Sequence, residues 1–77
     1  MKIKVTYFGK LIELTGMSSE DIAIEEASVS GVKKALEHTY PSLKTITYQL
    51  AENNAILKQG DAIHTTEVDI FPPFSGG

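Results

Sequence analysis

Hydrophobic and polar positions alternate from Lys2 to Phe8, with Ile3, Val5 and Tyr7 on one side and Lys2, Lys4 and Thr6 on the other. A period of two predicts a half-buried strand, broken at Gly9. Leu11, Ile12 and Leu14 crowd into LIELTG, a short helical turn or loop closed by Gly16. Alternation resumes over Asp21–Glu25, with Ile22 and Ile24 inward, so the two strands read as an antiparallel hairpin with a wide connection.

From Ser28 to Tyr40 the period changes. Val29, Val32, Leu36 and Tyr40 recur every three or four residues, while Lys33, Lys34, Glu37 and His38 lie opposite. This predicts an amphipathic helix with Ser28 as N-cap. Gly31, in its first turn, costs up to ~1 kcal/mol relative to alanine. Pro41 stops the helix, because the residue before a proline avoids helical angles. Leu43 and Ile46 are expected beneath the exit.

Thr47–Glu52 reads as a strand, Asn53-Asn54 as a left-handed turn, and Ala55–Lys58 as a short edge strand. Gln59-Gly60-Asp61 forms another turn. Glu67–Phe71 alternates with Val68 and Ile70 inward, and its apolar character predicts a central place beside the first strand. One helix laid across a mixed sheet of four to five strands buries these faces economically, giving an α+β fold.

Composition narrows the function. The chain has 77 residues, 42% hydrophobic and 22% charged, consistent with one globular domain over 1–77. So small a domain buries only ~60% of its unfolded surface, leaving little interior for a catalytic pocket. There is no cysteine, which excludes disulfides, thiolate zinc sites and a cysteine nucleophile. The opening MKIKVTYFGK lacks the long apolar core of a signal peptide, and no stretch approaches the ~20 apolar residues of a membrane span. The expectation is a cytoplasmic protein acting on no membrane. Net charge is −3, the basic residues are all lysine, and no basic run appears, which argues against nucleic acid as a partner. A mildly acidic surface suits a basic protein partner and ordinary solubility alike. His38 and His64 are isolated, and neither is expected to bind metal or act in catalysis.

The last residues carry the strongest signal. IFPPFSGG runs an apolar strand into two prolines and ends in two glycines. Pro72 and Pro73 fix φ and donate no hydrogen bond, so they end the strand and hold the chain extended as a tail over 72–77. From Pro73 to Gly77 such a chain reaches about 16 Å. Gly76 and Gly77 have minimal cross-section and fit a cleft that excludes most other termini. Phe74 is the expected partner contact, whereas Phe71 either contacts the partner or tucks against the sheet rim. Apart from Ser75, the reactive group would be the Gly77 carboxylate. A carboxylate resists substitution until adenylated, and no glycine-rich phosphate loop is present here. Any activation must come from another protein.

FPPFSGG on this element order resembles the small-subunit family of molybdopterin synthase, which are ubiquitin-like β-grasp sulfur carriers. KIKVTYFGKLIELTG and SVSGVKKALEHTYPSL extend the resemblance over nearly the whole chain. The resemblance implies a chain that is not catalytic alone and binds no cofactor, with ATP used by an adenylating sulfurtransferase partner. It implies a Gly77 thiocarboxylate, delivered into a large synthase subunit within a complex of two small and two large subunits. Phe71, Pro72, Pro73, Phe74, Ser75 and Gly76 would contact that partner. Alternative recipients are thiamine synthesis, tRNA thiolation or a lysine of another protein. One departure is visible: an acidic-Gly-acidic turn, frequent in that family before the last strand, is replaced by Ile63-His64-Thr65-Thr66-Glu67.

Overall fold

A computed structural model describes residues 1–73 of the chain. The elements are β1 (Lys2–Tyr7), α1 (Lys10–Thr15), β2 (Ser19–Ala23), α2 (Val29–Thr39), a 3-10 turn (Pro41–Thr45), β3 (Gln49–Glu52), β4 (Ala55–Leu57) and β5 (Glu67–Phe71). They form one sheet in the order β2-β1-β5-β3-β4. β1 and β5 run parallel, and the other neighbours run antiparallel. β5 is therefore central and lies beside β1, as its apolar alternation predicts.

One face of the sheet is dry. Ile3, Val5, Tyr7, Leu50, Val68 and Ile70 meet Val29, Val32 and Leu36 of α2, and Leu43 closes the core beneath the helix exit. Ser28 caps α2, its Oγ accepting from the Gly31 N–H at 3.0 Å. Asn53 and Asn54, with φ of 52° and 65°, make the tight β3–β4 turn. Both angles lie in the left-handed region that asparagine tolerates.

The strands β2 and β3 start elsewhere than their sequence reading places them. β2 occupies Ser19–Ala23 rather than Asp21–Glu25. The inward position that opens it is Glu20, a carboxylate, so the apolar alternation begins one step too late to mark the start. Glu20 is accommodated by the hydroxyls of Tyr7 and Tyr40, which donate to it at 2.6 and 2.5 Å. Ile24, just beyond β2, is nonetheless buried, and its N–H bonds Met1 O at 2.8 Å. α1 is the short helical turn expected before Gly16, and of its three apolar residues Leu11 is buried while Ile12 and Leu14 are exposed. β3 starts at Gln49, two residues later than expected, although Tyr48 just before it is buried.

Gly31 has a different role from the one propensity assigns. A Cβ there would lie 2.0 Å from the carbonyl oxygen of Glu26. The loop entering α2 crosses the helix start so closely that no side chain fits.

Candidate functional site at the root of the C-terminal segment

β5 carries the C-terminal segment out from the middle of the sheet. Its ladder is held on both sides, to Lys4–Tyr7 of β1 and to Gln49–Ala51 of β3. Phe8 extends the β1 side, its N–H donating to Ile70 O at 3.0 Å. A strand clamped between two neighbours gives a stiffer base than an edge strand would.

Phe71, the last residue of β5, is half-buried and stands opposite Gln49. Pro72 is half-buried and Pro73 exposed. Pro72 rests on Gly9, where an added Cβ would come 3.3 Å from Pro72 Cγ. Gly9 has φ 58°, a backbone conformation that L side chains rarely adopt. That conformation also starts α1, with the Ile12 N–H bonding Gly9 O at 3.0 Å. One glycine thus serves the helix start and the seat of the first proline. Phe74, Ser75, Gly76 and Gly77, the other residues singled out from the sequence, lie outside the described residues.

Phe8, Gly9, Phe71, Pro72 and Pro73 have no titratable side chain. The root offers a support and an apolar surface, with Phe8 45% exposed, but no acid, base or nucleophile. Gln49 Oε1, on the strand opposite Phe71, is buried without a hydrogen-bond donor.

Two polar clusters that sequence reading missed hold the scaffold in place. In the first, Glu20 of β2 receives the Tyr7 and Tyr40 hydroxyls, and the two rings meet edge to face at 6.4 Å. This ties β1, β2 and the end of α2 at one point. Burial, and then the Glu20 carboxylate, push the Tyr7 hydroxyl far above its ordinary value. Its hydrogen bond to Glu20, together with burial, pushes Tyr40 up to about 12.

The second cluster lies at the turn before β5. Glu52, at the end of β3, is 8% exposed, and its Oε2 accepts from the N–H groups of His64 and Thr65 at 2.6 and 2.8 Å. The Thr65 hydroxyl adds a third bond at 3.1 Å, and His64 Nδ1 lies 3.6 Å from Oε1. Burial alone would raise the Glu52 carboxyl. The donors from Thr65 and His64 outweigh it and hold the group below the ordinary carboxylate value. His64 itself is 79% exposed and His38 lies on the outer face of α2. Among the described residues no group of three or more His, Asp or Glu side chains is placed to hold a metal ion. No helix among them is long and apolar enough to cross a membrane. A lone glutamate in a strand gives no sequence signal for such a clamp, because its partners, two main-chain N–H groups and a hydroxyl, lie twelve and thirteen residues away.

One main helix across a mixed five-stranded sheet, with the C-terminal segment following a central strand, defines the ubiquitin-like β-grasp class. The solved structures of small archaeal modifier protein 1 share this fold. The Haloferax volcanii protein superposes with a TM-score of 0.78 at 22% identity, covering 100% of both chains. That from Methanosarcina acetivorans gives 0.75 at 24%, covering 99% of this chain and 96% of its own. In sequence, the ThiS family matches residues 5–77. The molybdopterin synthase sulfur carrier subunit of Caenorhabditis elegans is 32% identical over 83 residues, covering 100% of this chain and 99% of its own. The human protein of the same name is 30% identical over 88 residues, covering 99% and 94%. The chain belongs to the ThiS family and is a sulfur carrier of the ubiquitin-like type.

Proposed function

We propose that this chain is the sulfur carrier subunit of molybdopterin synthase and that its working atom is the Gly77 carboxylate. A cytoplasmic adenylating partner would join that carboxylate to the α-phosphorus of ATP, releasing pyrophosphate. Sulfide-level sulfur supplied by the partner would then attack the acyl carbon, forming a carbon–sulfur bond as the bond to AMP breaks and leaving a Gly77 thiocarboxylate. In complex with the large synthase subunit, two copies of each, the tail would donate its sulfur to precursor Z to build the dithiolene. Water would supply the oxygen that replaces the departing sulfur, so each carrier returns to its carboxylate, and two loaded tails would be spent for the two sulfurs of one dithiolene.

The observation that carries this reading is the seat of Pro72 on Gly9 at the end of a central strand. Beyond that seat the sequence continues as Pro73-Phe74-Ser75-Gly76-Gly77. The names of the C. elegans and human relatives support the recipient. Phe71, Pro72, Pro73 and Phe74 are assigned to the large-subunit contact, and Ser75, Gly76 and Gly77 to the narrow passage into its active site.

Intact mass spectrometry after co-expression with the adenylating enzyme, under sulfur-replete conditions, tests the chemistry. One oxygen exchanged for sulfur is expected, and its absence counts against the reading. Deleting Gly77 should abolish transfer while the sheet stays folded, because every strand ladder is complete by Phe71. A second reading keeps the activated terminus and changes the acceptor to a lysine amine, as the names of the archaeal modifier structures suggest. Affinity capture separates the two: a large synthase subunit is expected, whereas covalent adducts through Gly77 would favour the modifier.

A further inference from the structure

β2 is an edge of the sheet, and its outer side is a usable binding surface. Among the described residues no strand pairs with it on the side away from β1. The Tyr7 N–H bonds Ser18 O and the Ile24 N–H bonds Met1 O, each at 2.8 Å. In the antiparallel register Val5↔Glu20 and Ile3↔Ile22, the even-numbered residues of β2 therefore turn their main-chain groups toward β1. Ser19, Asp21 and Ala23 turn theirs outward, where an added strand would find them.

This edge is not bare. α2 runs beside it and leaves an open groove of about 880 Å³ between strand and helix. Ile22 and Ala35 form its floor, and the core covers each only in part. Glu20, Asp21, Glu25 and Glu26 line it, against Lys34 as the one lysine. The groove is thus strand-shaped, apolar at its base and negatively charged at its rim. It lies two strands from β5, so an occupant there leaves the root of the C-terminal segment open.

We propose that the β2–α2 groove binds an extended, lysine- or arginine-rich segment of a partner protein, which adds to the sheet as a sixth strand beside β2. Main-chain bonds to Ser19, Asp21 and Ala23 supply the pairing, and alternate side chains supply selectivity. Aliphatic residues of the segment face Ile22 and Ala35. Its basic residues answer the carboxylates. A second copy of this chain fits less well, because β2 against β2 sets the carboxylates of both copies face to face.

The test uses the whole chain, ¹⁵N-labelled, at low salt. The probe is a capped peptide of alternating lysine and isoleucine, Lys-Ile-Lys-Ile-Lys-Ile-Lys. Saturable amide shifts confined to Ser19–Ala23 and to α2 around Gly31–Ala35 are expected, with Kd below about 1 mM. Hydrogen exchange at Asp21 and Ala23 should slow on binding. Two further peptides carry N-methyl groups on all isoleucines or on all lysines. Strand addition predicts that one of them binds about tenfold more weakly and the other nearly normally. The Asp21→Asn/Glu25→Gln variant, both positions exposed, should lose about tenfold in affinity while keeping the spectrum of the folded chain. Several results overturn the proposal: no shifts at millimolar peptide, shifts centred elsewhere, or equal binding of both methylated peptides. Peptide-free shifts of the same amides with rising protein concentration do so too, since they make the occupant a second copy.

Discussion

Gly9 and Pro72 meet at the root of the C-terminal segment: a Cβ on Gly9 would sit 3.3 Å from Pro72 Cγ, and Gly9 holds φ 58°. Gly9→Ala therefore meets two penalties at once, backbone strain and a crowded proline ring. A loss of about 1–3 kcal/mol is expected in urea unfolding. If the seat also directs the tail, thiocarboxylate formation by the adenylating partner should fall further than the folded fraction does. A rate that simply follows the folded fraction would make Gly9 a structural residue only.

Gly31 reverses the usual rule for glycine in a helix. In an open helix, alanine would gain up to about 1 kcal/mol. Here the new methyl would fall 2.0 Å from Glu26 O, a main-chain atom that must move. Gly31→Ala should destabilise by about 1–3 kcal/mol, as overpacking does, and thermal unfolding reads the sign directly. A stabilised variant would show that the loop before α2 yields freely.

Glu52 governs stability on the acid side. Its folded-state carboxyl is held below the ordinary value of 4.5, so its contribution is present above that pH. The contribution is lost as pH falls through the folded value, when the proton displaces the His64 and Thr65 donors. Glu52→Gln should cost about 1–3 kcal/mol at neutral pH and flatten the acid limb of the stability curve. His64→Ala should change stability by less than about 1 kcal/mol, because an exposed ring 3.6 Å away is well screened. Equal losses in both variants would place the strength of the clamp in the ion pair instead of the main-chain bonds.

Tyr40 sets an alkaline limit. Its hydroxyl is raised from 10.0 to about 12, first by its bond to Glu20. The unfolded chain ionises near pH 10, so stability from this group is intact below that pH and is lost between about 10 and 12. Ultraviolet titration should show tyrosinate forming late in the folded chain. Glu20→Gln removes the charge and should bring the Tyr40 midpoint down toward 10.0. An unmoved midpoint would assign the shift to burial.

Much of the architecture is legible in residue order because its signals are local. Ile3, Val5 and Tyr7 alternate, Val29, Val32 and Leu36 step by helical turns, and Asn53-Asn54 marks its own turn. β2 was harder to bound, since Glu20 takes an inward position that pattern reading reserves for apolar side chains. The root of the tail was half legible. Two prolines after an alternating strand announce an extended exit, but Phe71 could not be assigned to rim or interface from its neighbours in sequence.

Residue order alone determined that a helix crosses a sheet, that β5 is apolar enough to lie inside it, and that two prolines follow that strand. These follow from periodicity and from the fixed dihedrals of proline, which need no distant partner. Only the tertiary structure decided that Gly9 seats Pro72, that Gly31 makes way for Glu26, and that Glu52 caps the turn before β5. Gly9 and Pro72, and Glu52 and its turn, are brought together across the chain by packing of the core, while Gly31 and Glu26 are near in sequence and meet only because the loop folds back on the helix start.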